Sequence, residues 1–252
     1  MAVKGLELFR DYFQGEQDKY VLIGGAACYL VMDEVGLDFR ATKDLDIVLC
    51  VEAMDAVFAK KFWDFVREGE YETQQKSTGD KQFYRFMKPK TPAFPFMLEL
   101  FSRRLENVFL EGETHLTPLP MDADTSSLSA ILMDDHYYQL LLGGKQNVDD
   151  VTVLQPGLIV VFKAKAWLDL TARRNAGEVI KGSDIKKHKN DVFRLFQLLS
   201  TDHKIELSEP VKEDMRQFIA DVRVDPPVLS DLKIKGVSVD EIFSAFGEIY
   251  QF

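Results

Sequence analysis

Asp44 and Asp46, one residue apart in the stretch R-A-T-K-D-L-D-I-V-L that opens at Arg40, are the residues of this chain whose types and spacing point most directly to chemistry. In an extended strand residues i and i+2 share a face, so the two carboxylates stand side by side while Leu45 and Ile47 turn the other way into a core. Such a pair of hard oxygen donors is a platform for a divalent cation, Mg2+ or Mn2+. Just upstream, the apolar run Tyr20 to Ile23 meets Gly24-Gly25 and then a short helical pattern. Free backbone N–H groups and the positive end of a helix dipole at that step favour an anion such as a triphosphate. Taken singly, a Gly-Gly after a strand is also an ordinary tight turn, and an isolated D-x-D carries little. In the order strand, Gly-Gly, helix, Arg40-x-Thr42-x-Asp44-x-Asp46, the pieces place a metal site and a phosphate site as neighbours. Thr42 could donate its hydroxyl to a phosphate or brace the turn, and Arg40 could meet a phosphate or pair with an acid.

The arrangement G-G-A-A…R-A-T-K-D-L-D-I resembles the nucleotidyltransferase superfamily, and within it the AbiEii/AbiGii-toxin-like branch, often the toxin half of a toxin–antitoxin pair. The resemblance runs from about Tyr20 to Leu199. It implies a nucleotidyltransferase-fold mixed β-sheet with flanking helices, and a third carboxylate on a neighbouring strand. Glu99, the one acid inside the apolar stretch Phe96 to Phe101, is the candidate. An unpaired carboxylate among such neighbours is expensive to desolvate, so a cation must compensate it. That cation is either a shared metal or a basic partner such as Arg103 or Arg85. Family members more often carry Asp at this position.

The second half adds basic residues. Pro156 to Ala176 reads as a helix, with Pro at its start and Gly177 after its end. Ile159, Lys163, Ala166 and Leu170 fall on one stripe, so Lys163 either snorkels to solvent or reaches a phosphate. Lys165 points elsewhere and reads as a solvated residue. A second helix, Ser183 to Leu199, has Ile185, Val192, Leu195, Phe196 and Leu199 on its core face, with His188 on the apolar side. The resemblance implies a lysine-bearing helix followed by a basic run and an aspartate, an order that Lys163, Lys187 and Asp191 fit. A surface i,i+4 pair between Lys187 and Asp191 is the alternative.

These residues need elements to position them. Met1 to about Gln17 reads as an amphipathic helix, Tyr20 to Ile23 as a strand, and Glu52 to Glu68 as a helix with Phe58, Phe62, Phe65 and Val66 inward. Tyr71 to Ser77 and Gln82 to Met87 read as a hairpin turning at Thr78-Gly79-Asp80. From Ser127, the stretches SLSAILMD, YYQLLLGGK and DVTVLQ read as short strands. Two more helices, Glu209 to Val222 and Val239 to Tyr250, close the pattern. The expectation is an α/β (α+β) chain with a nucleotidyltransferase core at residues 1–150, a mainly helical domain at 151–252, and a substrate cleft between them.

With 252 residues the chain can bury a sizeable core in two modest domains. A net charge of -10 argues against indiscriminate nucleic-acid binding but leaves room for a local basic cleft. The histidines do not cluster and no C-x-x-C occurs, so zinc is not expected; Cys28 and Cys50 read as buried free thiols. Lacking a signal-peptide pattern or a long apolar run, the sequence leads to an expectation of cytoplasmic residence without a membrane partner.

Together these readings lead to a metal-dependent transfer of a nucleoside monophosphate from a nucleoside triphosphate to a hydroxyl acceptor. Asp44, Asp46 and Glu99 would hold Mg2+ or Mn2+, Gly24 and Gly25 would cradle the triphosphate, and Lys163 would neutralise it. The acceptor could be a tRNA, a nucleotide or a protein, and a cognate antitoxin is a possible partner. Two alternatives stay open: a catalytically silent nucleotide-binding or partner-binding protein of the same fold, and a small-molecule modifier of the aminoglycoside type.

Overall fold

The computed structural model describes residues 3–40, 42–50, 53, 55–73, 83–101 and 123–252. They form two compact units, Met1–Pro120 with Lys145–Leu154, and Met121–Gly144 with Gln155–Phe252. The division is discontinuous, whereas the sequence expectation draws a single cut near residue 150.

The first unit is built on a mixed seven-stranded sheet. Its elements are α1 (Leu6–Tyr12), β1 (Tyr20–Ile23), α2 (Gly24–Asp33), β2 (Asp44–Leu49), α3 (Ala56–Glu68), β3 (Glu72–Thr73), β4 (Phe83–Met87) and β5 (Met97–Phe101). Two later strands belong to the same sheet, β6 (Lys145–Val148) and β7 (Val151–Leu154). The order across the sheet is β3-β4-β5-β2-β1-β7-β6. β1 is buried along its whole length because strands lie on both sides of it, β2 antiparallel and β7 parallel. A continuous apolar run is what such a central strand requires. β2 runs parallel to β5, and β4 and β3 follow antiparallel. At the other edge β6 and β7 form a hairpin whose turn residues Asp149 and Asp150 both have positive φ, 49° and 59°, as a two-residue primed turn demands.

Aromatic side chains fill the core of this unit. Phe58, Phe62, Phe65 and Val66 of α3 are buried, as the periodicity predicts. Phe13 packs against Phe58, Phe62 and Phe65 with ring centroids 5.3–6.0 Å apart. The helix starts at Ala56 rather than Glu52 because Asp55 is its N-cap, accepting the Phe58 N–H at 2.8 Å. α1 is shorter than the expected Met1–Gln17 because Gly5 and Gly15, with φ of 77° and 85°, interrupt the helical path on either side. β3 and β4 pair as expected, whereas the turn read at Thr78-Gly79-Asp80 lies outside the described residues.

The second unit is helical: α4 (Ala123–Met133), α5 (Asp135–Gly143), α6 (Pro156–Asn175), α7 (Gly182–Phe196), α8 (Glu209–Val222) and α9 (Val239–Tyr250). Here the reading of SLSAILMD and YYQLLLGGK as strands is corrected, since both are helices. Asp134 starts the second of them by accepting the N–H groups of His136 and Tyr137, and Tyr137, Tyr138 and Leu141 form its buried face. Only the third stretch is a strand, β7. α6 opens with Pro156 in its first turn, and α9 with a capping box between Ser238 and Glu241. A mixed sheet with flanking helices, followed by mainly helical chain, is thus the architecture present. No helix among the described residues is long and apolar enough to cross a membrane.

Candidate functional site

The sheet register brings the acidic residues of the first unit into one row. Asp46 on β2 lies directly opposite Glu99 on β5, and Glu99 lies opposite Arg85 on β4. Paired residues in adjacent strands point to the same face, so Arg85, Glu99 and Asp46 stand side by side with Asp44 two residues along. Asp44 and Asp46 are half-buried, whereas Leu45 and Ile47 are fully inside, as the alternation predicts.

Glu99 is only 6% exposed. Its Oε1 accepts from Arg85 Nε at 2.6 Å, and Arg85 Nη2 completes the ion pair. The carboxyl is nevertheless held well above the ordinary carboxylate range, first by burial and then by the charge and hydrogen bond of Asp46; Arg85 pulls in the opposite direction. Of the partners read from the sequence for this buried acid, Arg85 is the one in contact, and Arg103 lies outside the described residues. Among the described residues no three His, Cys, Asp or Glu side chains gather closely enough to hold a metal ion. The half-exposed aspartate pair, all hard oxygen, suits a divalent cation; Glu99 already has a guanidinium on one of its oxygens.

Both glycines of the Gly-Gly step are required by what lies against them. Gly24 has a φ of 64°, and a Cβ added there would fall 1.7 Å from Asp46 Oδ2. At Gly25 an added Cβ would fall 2.7 Å from Thr42 Oγ1. The side chains of Asp46 and Thr42 therefore occupy the space that larger residues would need. α2 begins at Gly24 and has no side-chain cap, so the backbone donors of its first turn face this same corner. Arg40 is half-buried, its guanidinium carbon 5.3 Å from the centre of the Phe39 ring.

The remaining candidates belong to the second unit. Lys163 is buried on α6, and its Nζ lies 3.3 Å from Asp191 Oδ2 on α7. Asp191 is fully buried and also pairs with Arg194 at 3.3 Å, a residue the sequence reading did not single out. Its position one helical turn after Asp191 was the available signal. Lys163 thus neither snorkels freely nor stands as an isolated cation. Lys187 is half-buried and His188 buried on the same helix. Lys165, read as solvated, is instead tied to both oxygens of Asp214 at 2.8 Å, and Tyr137 donates its hydroxyl to the same carboxylate at 2.8 Å. Cys28 and Cys50 are buried and are not joined in a disulfide.

Among solved structures, the chain is similar to an antigenic nucleotidyltransferase-like protein from Paracoccidioides brasiliensis, with 17% identity and a TM-score of 0.44, covering 96% of this chain and 99% of that one. It is also similar to JHP933 from Helicobacter pylori, with 15% identity and a TM-score of 0.34, covering 97% of this chain and 88% of that one. No family model matches the chain, and no curated protein matches it in sequence.

Proposed function

We propose that the chain is a metal-dependent nucleotidyltransferase that moves a nucleoside monophosphate from a nucleoside triphosphate to a hydroxyl acceptor. The observation that supports this is the approach of Asp46 to Gly24, which sets a carboxylate face suited to a cation beside an uncapped helix N-terminus suited to phosphate. Neither sheet packing nor a tight turn requires the two to meet. Asp44 and Asp46 would hold Mg2+ or Mn2+, which when bound supplies positive charge to the phosphate oxygens. The first-turn N–H groups of α2 would orient the triphosphate, with Thr42 adding a hydroxyl donor and Arg40 a positive charge. Glu99, whose proton affinity is raised, is suited to accept the proton of the attacking hydroxyl. The acceptor oxygen then bonds to the α-phosphorus as the bond to pyrophosphate breaks.

For Lys163, Lys187 and Asp191, and for a place in the AbiEii-like branch with a tRNA or protein acceptor and an antitoxin partner, the support is the sequence resemblance. A second reading, a catalytically silent nucleotide-binding protein, is favoured by the Arg85–Glu99 ion pair, which occupies the carboxylate that would otherwise be open.

Pyrophosphate release from each nucleoside triphosphate, in the presence of mixed RNA and protein acceptors, distinguishes the two. Active transfer should fall at least about a hundredfold in Asp44→Ala or Asp46→Ala while the thermal melt stays cooperative. Magnesium or manganese should support it and zinc should not. Turnover in both variants at the wild-type level would remove the aspartates from the mechanism, and no release under any condition favours the silent protein.

A further inference from the structure

The second unit contains a cleft of about 750 Å3 that plays no part in the proposed transfer chemistry. It is formed by the C-terminal half of α6, by α7 from Gly182 to Arg194 and by the segment from Asp225 to Leu232. Its volume is in the range of sites for small organic ligands. Four cations line it, Arg174, Lys186, Lys189 and Arg194, against two carboxylates, Asp225 and Asp231. In a chain whose net charge is -10, that local excess of positive charge stands out.

The cations divide into two kinds. Lys189 is locked in place, donating to the Asp225 backbone carbonyl at 2.5 Å and to its carboxylate at 2.8 Å, and Arg194 is engaged by Asp191. Arg174 and Lys186 are within ion-pair distance of no carboxylate among the described residues, although the charge of Lys186 helps Lys189 hold the Asp225 carboxyl below its ordinary range. An added Cβ at Gly182 would lie 3.1 Å from Arg174 Nη1, which puts that guanidinium at the first turn of α7, where the helix dipole also favours an anion.

The cleft also holds unmet hydrogen-bonding capacity. Thr171 Oγ1 and Asn190 Oδ1 are both buried without a hydrogen-bond partner, and both residues line it. Buried polar atoms are costly to leave unsatisfied; these two are closed to solvent just beneath the cleft wall, so a ligand's donor would reach them only with a small side-chain shift. Apolar, partly flat stretches of the wall come from Trp167, Ile185, Pro226, Pro227 and Leu232. Trp167 is only 8% exposed and is fixed edge-on against Phe218 at 5.4 Å, so it presents a narrow, rigid aromatic edge to the cleft.

We propose that this cleft binds a nucleotide, with its phosphate at Arg174 and Lys186 and its base against the proline wall and the edge of Trp167, beside Thr171 and Asn190. Phosphate alone would use only the cations, and a nucleoside alone only the wall. The site lies wholly within the second unit and stands whether or not the aspartates of the first unit catalyse transfer.

The test is isothermal titration of the full chain with adenosine 5′-monophosphate in the absence of divalent metal, beside Trp167 emission in a Trp63→Phe background. The chain has two tryptophans, so that background leaves Trp167 as the sole reporter. Binding should quench Trp167, exceed that of either inorganic phosphate or adenosine, persist in Asp44→Ala, and weaken tenfold or more in Arg174→Met/Lys186→Met. Circular dichroism melts confirm that each variant is folded. Absence of binding, equal affinity in the double variant, unchanged Trp167 emission, or loss of binding in Asp44→Ala would each overturn the proposal.

Discussion

Two buried acids, Glu99 on the sheet of the first unit and Asp191 on a helix of the second, meet the cost of desolvation in opposite ways. Glu99 faces a guanidinium on one side and another carboxylate, Asp46, on the other, and its proton affinity rises. Asp191 faces two cations, Lys163 and Arg194, each at 3.3 Å. A carboxyl that can take up a proton has an escape from an unfavourable field; a carboxylate that neutralises two buried or half-buried cations has none to offer them. The first arrangement is therefore adaptable, as a site that must accept a visiting cation or proton requires. The second is a fixed joint between α6 and α7.

That difference is sharpest when each pair is broken. Asp191→Ala would leave Lys163 and Arg194 facing each other without their shared partner, and the expected loss of stability is about 3–5 kcal/mol. Lys163→Met should cost clearly less, because Arg194 still meets the carboxylate and the thioether preserves the buried stem. Urea denaturation of both variants measures the ranking. Equal losses, or a more stable Asp191→Ala protein, would mean that the joint between the helices is apolar packing and that the ion pairs are incidental.

Arg85→Met should have a smaller effect, about 1–2 kcal/mol at neutral pH, because Glu99 can hold a proton and keep its hydrogen bond to Asp46 when the guanidinium is gone. The same variant removes the cation that competes for Glu99. Its Mn2+ affinity, followed by electron paramagnetic resonance, should therefore rise relative to wild type. A loss of stability as large as that of Asp191→Ala would show that Glu99 stays ionised and that the contrast between the two acids is false.

The ends of this comparison were unequally legible in the sequence. Strand alternation and the D-x-D spacing were enough to set Asp44 and Asp46 on one face, and the lone acid in an apolar strand was enough to demand a compensating cation near Glu99. Arg85 was nameable there because a hairpin return places β4 beside β5. The Lys163–Asp191 joint was not readable, since α6 is buried on all sides from Gly157 to Ala164 and nothing local fixes which of its stripes faces α7. α4 and α5 were misread because short apolar runs fit both periods. Ser127 and Ile131, both buried four residues apart, and Asp134 as a cap carry the helical signal there, and it emerges only when capping is weighed before alternation. The cleft around Arg174 and Lys186 had no sequence signature, because its walls come from three separate segments.

The smallest expected effect concerns pH. Because the folded-state proton affinity of Glu99 is raised above its ordinary value of 4.5, the folded protein binds that proton more tightly than the unfolded chain does. The stability this contributes is fully present below 4.5 and is lost as the pH rises through the raised value. Glu99→Gln replaces the carboxyl with a neutral group of the same shape that cannot ionise, so this loss disappears from the variant. The difference in denaturation midpoint, variant minus wild type, should therefore climb with pH across that window, with Arg85 limiting its size because it favours the ionised wild-type carboxylate. Parallel midpoint curves would mean that the guanidinium fully balances burial and Asp46, leaving Glu99 an ordinary ion-paired carboxylate and removing the basis for its role as a proton acceptor.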